Sequence, residues 1–255
     1  MGQNGYQLVD YTSLPKAERL TSKEESQCKA EINAFQDFLD KFDEISPRPY
    51  QTDGGSVQKA VLMAYRDTIL AVDHWADEYG EENVHESIKN EFGPEIATGL
   101  AGGSATWSHL LWDQLRTESE AAIKTRRRSL GVLSEERQQL QELRRSLSEI
   151  GDELAAVERC EYPFAERSDR LTTIQQQLDE LTQERQTHLH QRKKTHDKLF
   201  SSYIYGCLET DFPGLAALAT ARQILDRIKL RHWAGLVRTR DSGTPNKYEV
   251  DFEEI

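Results

Sequence analysis

Apolar residues recur at alternating steps of three and four along residues 133–157, and again along residues 171–189. In the first stretch Leu133, Leu140, Leu143, Leu147, Ile150, Leu154 and Val157 carry most of the rhythm; in the second Leu171, Ile174, Leu178 and Leu181 do. Such a step pattern is the seam of a supercoiling helix. Folding the chain at Tyr162-Pro163 sets Leu154 against Leu171, Ile150 against Ile174, Leu147 against Leu178 and Leu143 against Leu181. Four apolar layers then close without a slip, which predicts an antiparallel coiled-coil hairpin with a dry two-helix seam near its tip. Lower down the same register sets Leu140 against Arg185 and Glu136 against His188. Those polar layers either weaken a two-helix seam while fixing its register or, the favoured reading, mark a lower stalk whose apolar sides face the N-terminal helices in a three- or four-helix bundle.

Before the hairpin, a helix is predicted to open at Thr21 or Ser22, with Glu24 and Glu25 as capping-box partners. It carries Cys28, Ile32, Phe35, Leu39 and Phe42 on one stripe, widened by Phe38. Ser46-Pro47-Arg48-Pro49 and Asp53-Gly54-Gly55-Ser56 read as a linker. A helix from Val57 to Val72, a bend over 73–80 and short helices over 82–92 and 94–100 follow, with Pro94 suited to a first turn. One long helix is predicted from about Thr106 to Glu158, open to a bend at Gly131, and a return helix from Phe164 to Tyr205. A last helix opens at Asp211-Phe212-Pro213. Tyr248, Val250 and Phe252 alternate with charged residues, so the segment from Gly235 reads as a β-hairpin. The expected fold is all-α: a long antiparallel coiled-coil hairpin on an N-terminal helical bundle, with a small C-terminal β-hairpin. Its parts are a flexible leader (1–20), an N-terminal helical region (21–103), the hairpin (104–205, tip near 160–164), a C-terminal helix (206–232) and a β-hairpin tail (233–255).

Composition supports long one-sided helices: the 255 residues are 37% hydrophobic and 30% charged, with a mean hydropathy of -0.72. The net charge of -12 argues against a general nucleic-acid coat, because phosphate avoids an acidic surface unless basic residues are segregated. Arginine exceeds lysine, 20 to 12, as suits a high-salt cytoplasm. Cys28, Cys160 and Cys207 show no paired spacing, no export-type leader is evident and no apolar run approaches a membrane span, so a cytoplasmic protein is expected.

Candidate chemistry is sparse. His85-Glu86 lacks the second histidine of a zinc-protease motif, Lys89 standing in its place. His188, His190 and His196 do not share a helix face, and His74 with Asp77 and Glu78 is too small a set for a metal. Gly102-Gly103 is not followed by the Lys-Ser/Thr of a phosphate loop, and Cys160 is one thiol where a zinc hook needs two. Neither a cofactor nor a metal is implied. Tyr162 and Phe164 flank Pro163 at the tip and are candidate partner contacts; the plainer reading has them capping the hairpin's own core. Arg126, Arg127 and Arg128 fall level with Lys193 and Lys194 in the same register. They are candidate contacts for phosphate or an acidic partner, against a plainer reading in which the protein's own carboxylates neutralise them.

Three segments carry a resemblance. They are Ala64-Tyr65-Arg66-Asp67-Thr68 running on to Asp77-Glu78-Tyr79-Gly80, then Asn90-Glu91-Phe92-Gly93-Pro94-Glu95, then Leu208-Glu209-Thr210-Asp211 with Pro213. In that order around a charged helical hairpin, residues 25–232 resemble a haloarchaeal family classed only as a domain of unknown function. That resemblance implies no activity, substrate or cofactor. A shorter likeness, from Ile224 through Trp233 and on to Gly243-Thr244-Pro245-Asn246-Lys247-Tyr248, is similar to the last helix and wing of a winged-helix DNA-binding domain. It departs in that 213–231 reads as one helix, without the turn before a recognition helix. The expected function is a non-enzymatic helical scaffold or protein-interaction protein whose partner is another protein. The alternative is a DNA-binding regulator contacting phosphates through Arg238, Arg240 and Lys247.

Overall fold

The computed structural model describes residues 8–45, 54–75, 80, 83–102, 107–195 and 200–235; the side chains of 54–55 and 193–195 are also outside this description. Among these residues a 3-10 turn (Leu8–Tyr11) leads into helices α1 (Leu14–Ile45), α2 (Gly54–Thr68), α3 (Val84–Phe92) and α4 (Pro94–Ala101). The 50-residue α5 (His109–Glu158), α6 (Phe164–Thr195), the short α7 (Phe200–Tyr205) and α8 (Pro213–Trp233) follow. Two compact units emerge: residues 21–137, and residues 1–20 together with 138–255.

The 21–137 unit grows from the phenylalanine stripe. Phe35, Phe38 and Phe42 of α1 are fully buried, with Tyr65 of α2 and Phe92 of α3 among them. Phe35 meets Phe92 edge-on at 6.1 Å, and Phe38 meets Tyr65 edge-on at 5.6 Å. These arrangements set the electropositive ring edge on the electronegative face. The one polar atom Tyr65 brings inside is satisfied at 2.8 Å by the Ser87 hydroxyl. Asn83 caps α3, its Oδ1 accepting from the Glu86 N–H at 3.0 Å. Gly93 then turns the chain at φ +92, a value few other residues adopt, and Pro94 opens α4 at the position where its missing N–H is harmless. Helix α5 continues through Gly131, so the bend open to it there does not interrupt the helix.

Helix α1 starts at Leu14 rather than at Thr21 or Ser22. Ser13 O accepts the first helical bond from the Ala17 N–H, Thr12 Oγ1 accepts from the otherwise unmatched Leu14 N–H, and Pro15 falls in the first turn, where it costs no hydrogen bond. The capping-box pattern at Thr21 is real in sequence but lies inside a helix that good helix formers had already begun. Leu8, Val9, Leu14 and Ala17 are buried, so residues 8–20 pack into the fold.

In the other unit, every seam position from Leu140 to Val157 named above is buried, as are Leu171, Ile174 and Leu178. Leu181 is only half-buried. The expectation of a two-helix seam near the tip is corrected by α8. A Cβ placed on Gly214 would stand 3.0 Å from Arg185 Nε of α6 and 3.1 Å from Leu143 Cδ2 of α5, so α8 touches both helices at once. Small residues at 214, 217 and 221 allow the approach, and Leu218, Leu225 and Ile228 fill the interface. Ion pairs repeat the tie along its length, Arg222 to Asp179 and Arg231 to Glu158, while Lys229 bonds Gln175.

The expected C-terminal β-hairpin is also corrected. No strand occurs among the described residues, and the architecture is all-α. Where the tail was to begin, Trp233 is helical, Ala234 keeps helical dihedrals with its N–H bonded to Leu230 O, and Gly235 bonds back to His232 O. The remainder of that expected hairpin, 236–255, lies outside the described residues.

Candidate partner-binding surface

The α5–α6 turn is built by its backbone. Cys160 adopts the left-handed conformation at φ 61, and the N–H groups of Cys160 and Glu161 return to Val157 O and Ala156 O, a closure that satisfies the last carbonyls of α5. This position suits glycine better than any residue with a Cβ. Cys160→Gly is therefore expected to raise stability by about 1 kcal/mol; an unchanged or lower denaturation midpoint would count against that geometry.

On this turn Tyr162 and Phe164 behave differently. Tyr162 is half-buried: its hydroxyl donates to Glu153 at 3.2 Å and the Arg170 guanidinium lies 3.6 Å above its ring. Loss of solvent around it, then the Glu153 carboxylate, hold its phenol above the ordinary range. Arg170 is held charged by Glu166 and Glu153. Tyr162 is thus occupied by its own helices. Phe164 remains 51% exposed and stacks on His232 of α8 at 4.4 Å. Beyond it Leu230 and Trp233, one turn apart on α8, are 70% and 74% exposed. Sequence reading missed these two because the placement of α8 is not periodic information. Their signal was nonetheless present, as large apolar residues off the Leu218–Leu225–Ile228 stripe.

Beneath the turn Arg167 is only 2% exposed, and its Nε donates to Tyr162 O at 2.6 Å. Burial first, and the Arg167 charge second, push the His232 imidazole below its ordinary value, so the folded state prefers it neutral. The unfolded chain therefore takes up a proton that the folded chain refuses. His232's contribution to stability is complete above about pH 6.5 and is lost as pH falls through the lower folded value. His232→Phe keeps a stacking ring without the ionisation. Its melting temperature should fall less than wild type between pH 7.5 and 5.5, and parallel curves would refute the assignment.

The basic candidates separate. Arg126, in the 21–137 unit, is embedded: Nε donates to Glu31 Oε2 at 2.6 Å, and Nη1 and Nη2 grip Glu91 at 2.7 and 3.1 Å. Its guanidinium sits 4.3 Å over the Phe35 ring. Burial alone would lower its pKa, but Glu91 and Glu31 outweigh it and the group is held more firmly charged than usual. His74 extends the network, Nε2 lying 3.0 Å from Glu31 Oε1. Cys28 donates to Arg126 O at 3.1 Å, and burial pushes its thiol up to about 11, leaving it unreactive at neutral pH. Arg126 is therefore consumed by the protein's own carboxylates. Arg127 and Arg128 are exposed. The side chains of Lys193 and Lys194, and all of Arg238, Arg240 and Lys247, lie outside the described residues. Helix α8 runs unbroken from Pro213 to Trp233, without the turn a winged helix needs.

Among the described residues no group of three or more His, Cys, Asp or Glu side chains could hold a metal, and no helix is long and apolar enough to cross a membrane. Fold and surface together define an all-α protein in which Arg126 is bound up in ion pairs, while Phe164 and Trp233 stand exposed beside the α5–α6 turn and other large apolar side chains, such as Tyr11, Met63, Leu110 and Tyr203, are exposed elsewhere. A family model described as "Domain of unknown function (DUF7260)" matches residues 12–229, so the chain belongs to that family. No curated protein and no solved structure matches it.

Proposed function

We propose that this chain is a non-enzymatic helical scaffold that acts by binding another protein, with the face formed by Phe164 and Trp233 as its contact surface. The observation that carries this reading is the exposure of those two large aromatic side chains, both against His232 beside the α5–α6 turn. Apolar area left in water gains roughly 25 cal/mol per Å² when a partner covers it, and aromatic anchors dominate such contacts. Helices α5 and α6 would serve as a coiled-coil arm presenting that face. The setting would be the cytoplasm of a haloarchaeon, which fits the acidic, arginine-rich composition and three cysteines that form no disulfide. The test is quantitative affinity purification with the intact chain and a Phe164→Ala/Trp233→Ala variant of unchanged circular dichroism. Proteins enriched by the first and lost from the second support the reading. Identical enrichment by both overturns it.

A further inference from the structure

A second surface lies along the seam of α5 and α6. A groove of about 530 Å³ runs between them; Ile150 and Ile174, both buried in the seam, close its base, and half-exposed Leu181 is the apolar side chain open to it. On the α5 wall stand Glu149 and Glu153, one turn apart; on the α6 wall stand Glu180 and Glu184, again one turn apart. The one cation in the lining, Arg170, is already paired with Glu153 at 2.5 Å and Glu166 at 2.7 Å. Glu149, Glu180 and Glu184 make no ion pair among the described residues. Ser146 and Thr173 are the small side chains of the walls and leave room for close approach.

The geometry points to this groove as the seat of an amphipathic α-helix of a partner protein, with an aliphatic stripe inward and lysine or arginine on both flanks. The groove between two packed helices is the surface on which a further helix rests at about 8–10 Å, and here Leu181 with the aliphatic stems of the glutamates and Gln177 would meet its aliphatic stripe. The acidic rims then select basic flanks and disfavour acidic ones. The charge layout is diagonal. Because α5 runs toward the turn and α6 away from it, Glu149 and Glu153 lie nearer the turn, and Glu180 and Glu184 further from it. Matching helices therefore carry their cations on opposite flanks in their two halves. From Arg170 to Glu184 the groove needs a segment of about 14 residues, or roughly 21 Å of helix. The chain's own residues 236–255 are an ill-suited occupant, holding five acidic residues against Arg238, Arg240 and Lys247. The inference shares with the preceding section only the premise that the chain binds protein, and it uses none of the residues of the turn face.

The test is fluorescence anisotropy of the full chain with designed 18-residue helical peptides: one with a leucine stripe and diagonal lysine flanks, one of the same composition scrambled to lose the stripe, and one with glutamate flanks. Saturable binding of the first alone is expected, weakened about tenfold by Glu149→Lys/Glu180→Lys, both exposed positions. Phe164→Ala/Trp233→Ala should leave it unchanged, so failure of the turn face and failure of the groove are read separately. Equal binding of the scrambled peptide would mean adsorption to an acidic chain and would overturn the proposal. So would binding that is indifferent to the charge reversals, or no binding at all.

Discussion

Arg126→Met is expected to cost the 21–137 unit about 3–5 kcal/mol. The side chain bridges α1, through Glu31, to Glu91 of α3 while covering the face of Phe35. Methionine replaces much of the packing volume but none of the charge. Glu31 and Glu91, whose side chains are only 10% and 18% exposed, would then lose the guanidinium they share, with two like charges left close together in a desolvated site. Breaking one partner out of a buried pair is far costlier than never having built the pair, because the desolvated charges remain. Three of the four tryptophans, Trp75, Trp107 and Trp112, belong to this unit, so a Trp233→Phe background makes fluorescence report on it. Its urea midpoint should drop sharply in Arg126→Met. Adding Glu31→Gln and Glu91→Gln should recover a large part of the loss. A midpoint within experimental error of the parent would show that the ion pairs contribute nothing.

Leu147→Asp is expected to be the most damaging single change in the other unit. Leu147 is fully buried in a seam shared by α5, α6 and α8. Its loss removes about 2–5 kcal/mol of packing, and an unpaired carboxylate in its place adds a desolvation penalty of several kcal/mol. Helical signal should fall, and limited proteolysis should open new sites between residues 140 and 181. Leu147→Met, which keeps volume and apolar character, should be tolerated. If Leu147→Asp left that segment resistant to protease, the buried seam would be wrong.

Much of this architecture was legible without coordinates because it is periodic. Steps of three and four mark the face a helix must bury, so the seam leucines of α5 and α6 and the phenylalanines of α1 could be named from spacing alone. The breaks were legible for a complementary reason: Gly93-Pro94 and Phe212-Pro213 restrict the backbone locally, whatever surrounds them. The acidic composition and the lack of metal-ligand spacing are likewise sequence properties.

What spacing cannot state is which buried faces meet. The heptads allowed a dry two-helix seam, whereas Gly214, Ala217 and Ala221 bring α8 onto it, a contact encoded by small side chains with no distinctive period. A capping pattern at Thr21 is local, while burial of Leu14 and Ala17 is a tertiary gain that extends α1 backward to Leu14. The β-hairpin was expected at the tail from alternation alone, and at 233–235 the helix simply continues to its own cap. Arg126 shows the same limit in its charge. Its sequence neighbours made it part of a basic cluster, and only the fold brings Glu31 and Glu91, 95 and 35 positions away, to neutralise it. Local propensity and periodicity act within a few turns, so the sequence determined the helices and the faces they must bury. Partner choice depends on shape and charge arriving from distant segments, and that was decided by the tertiary structure.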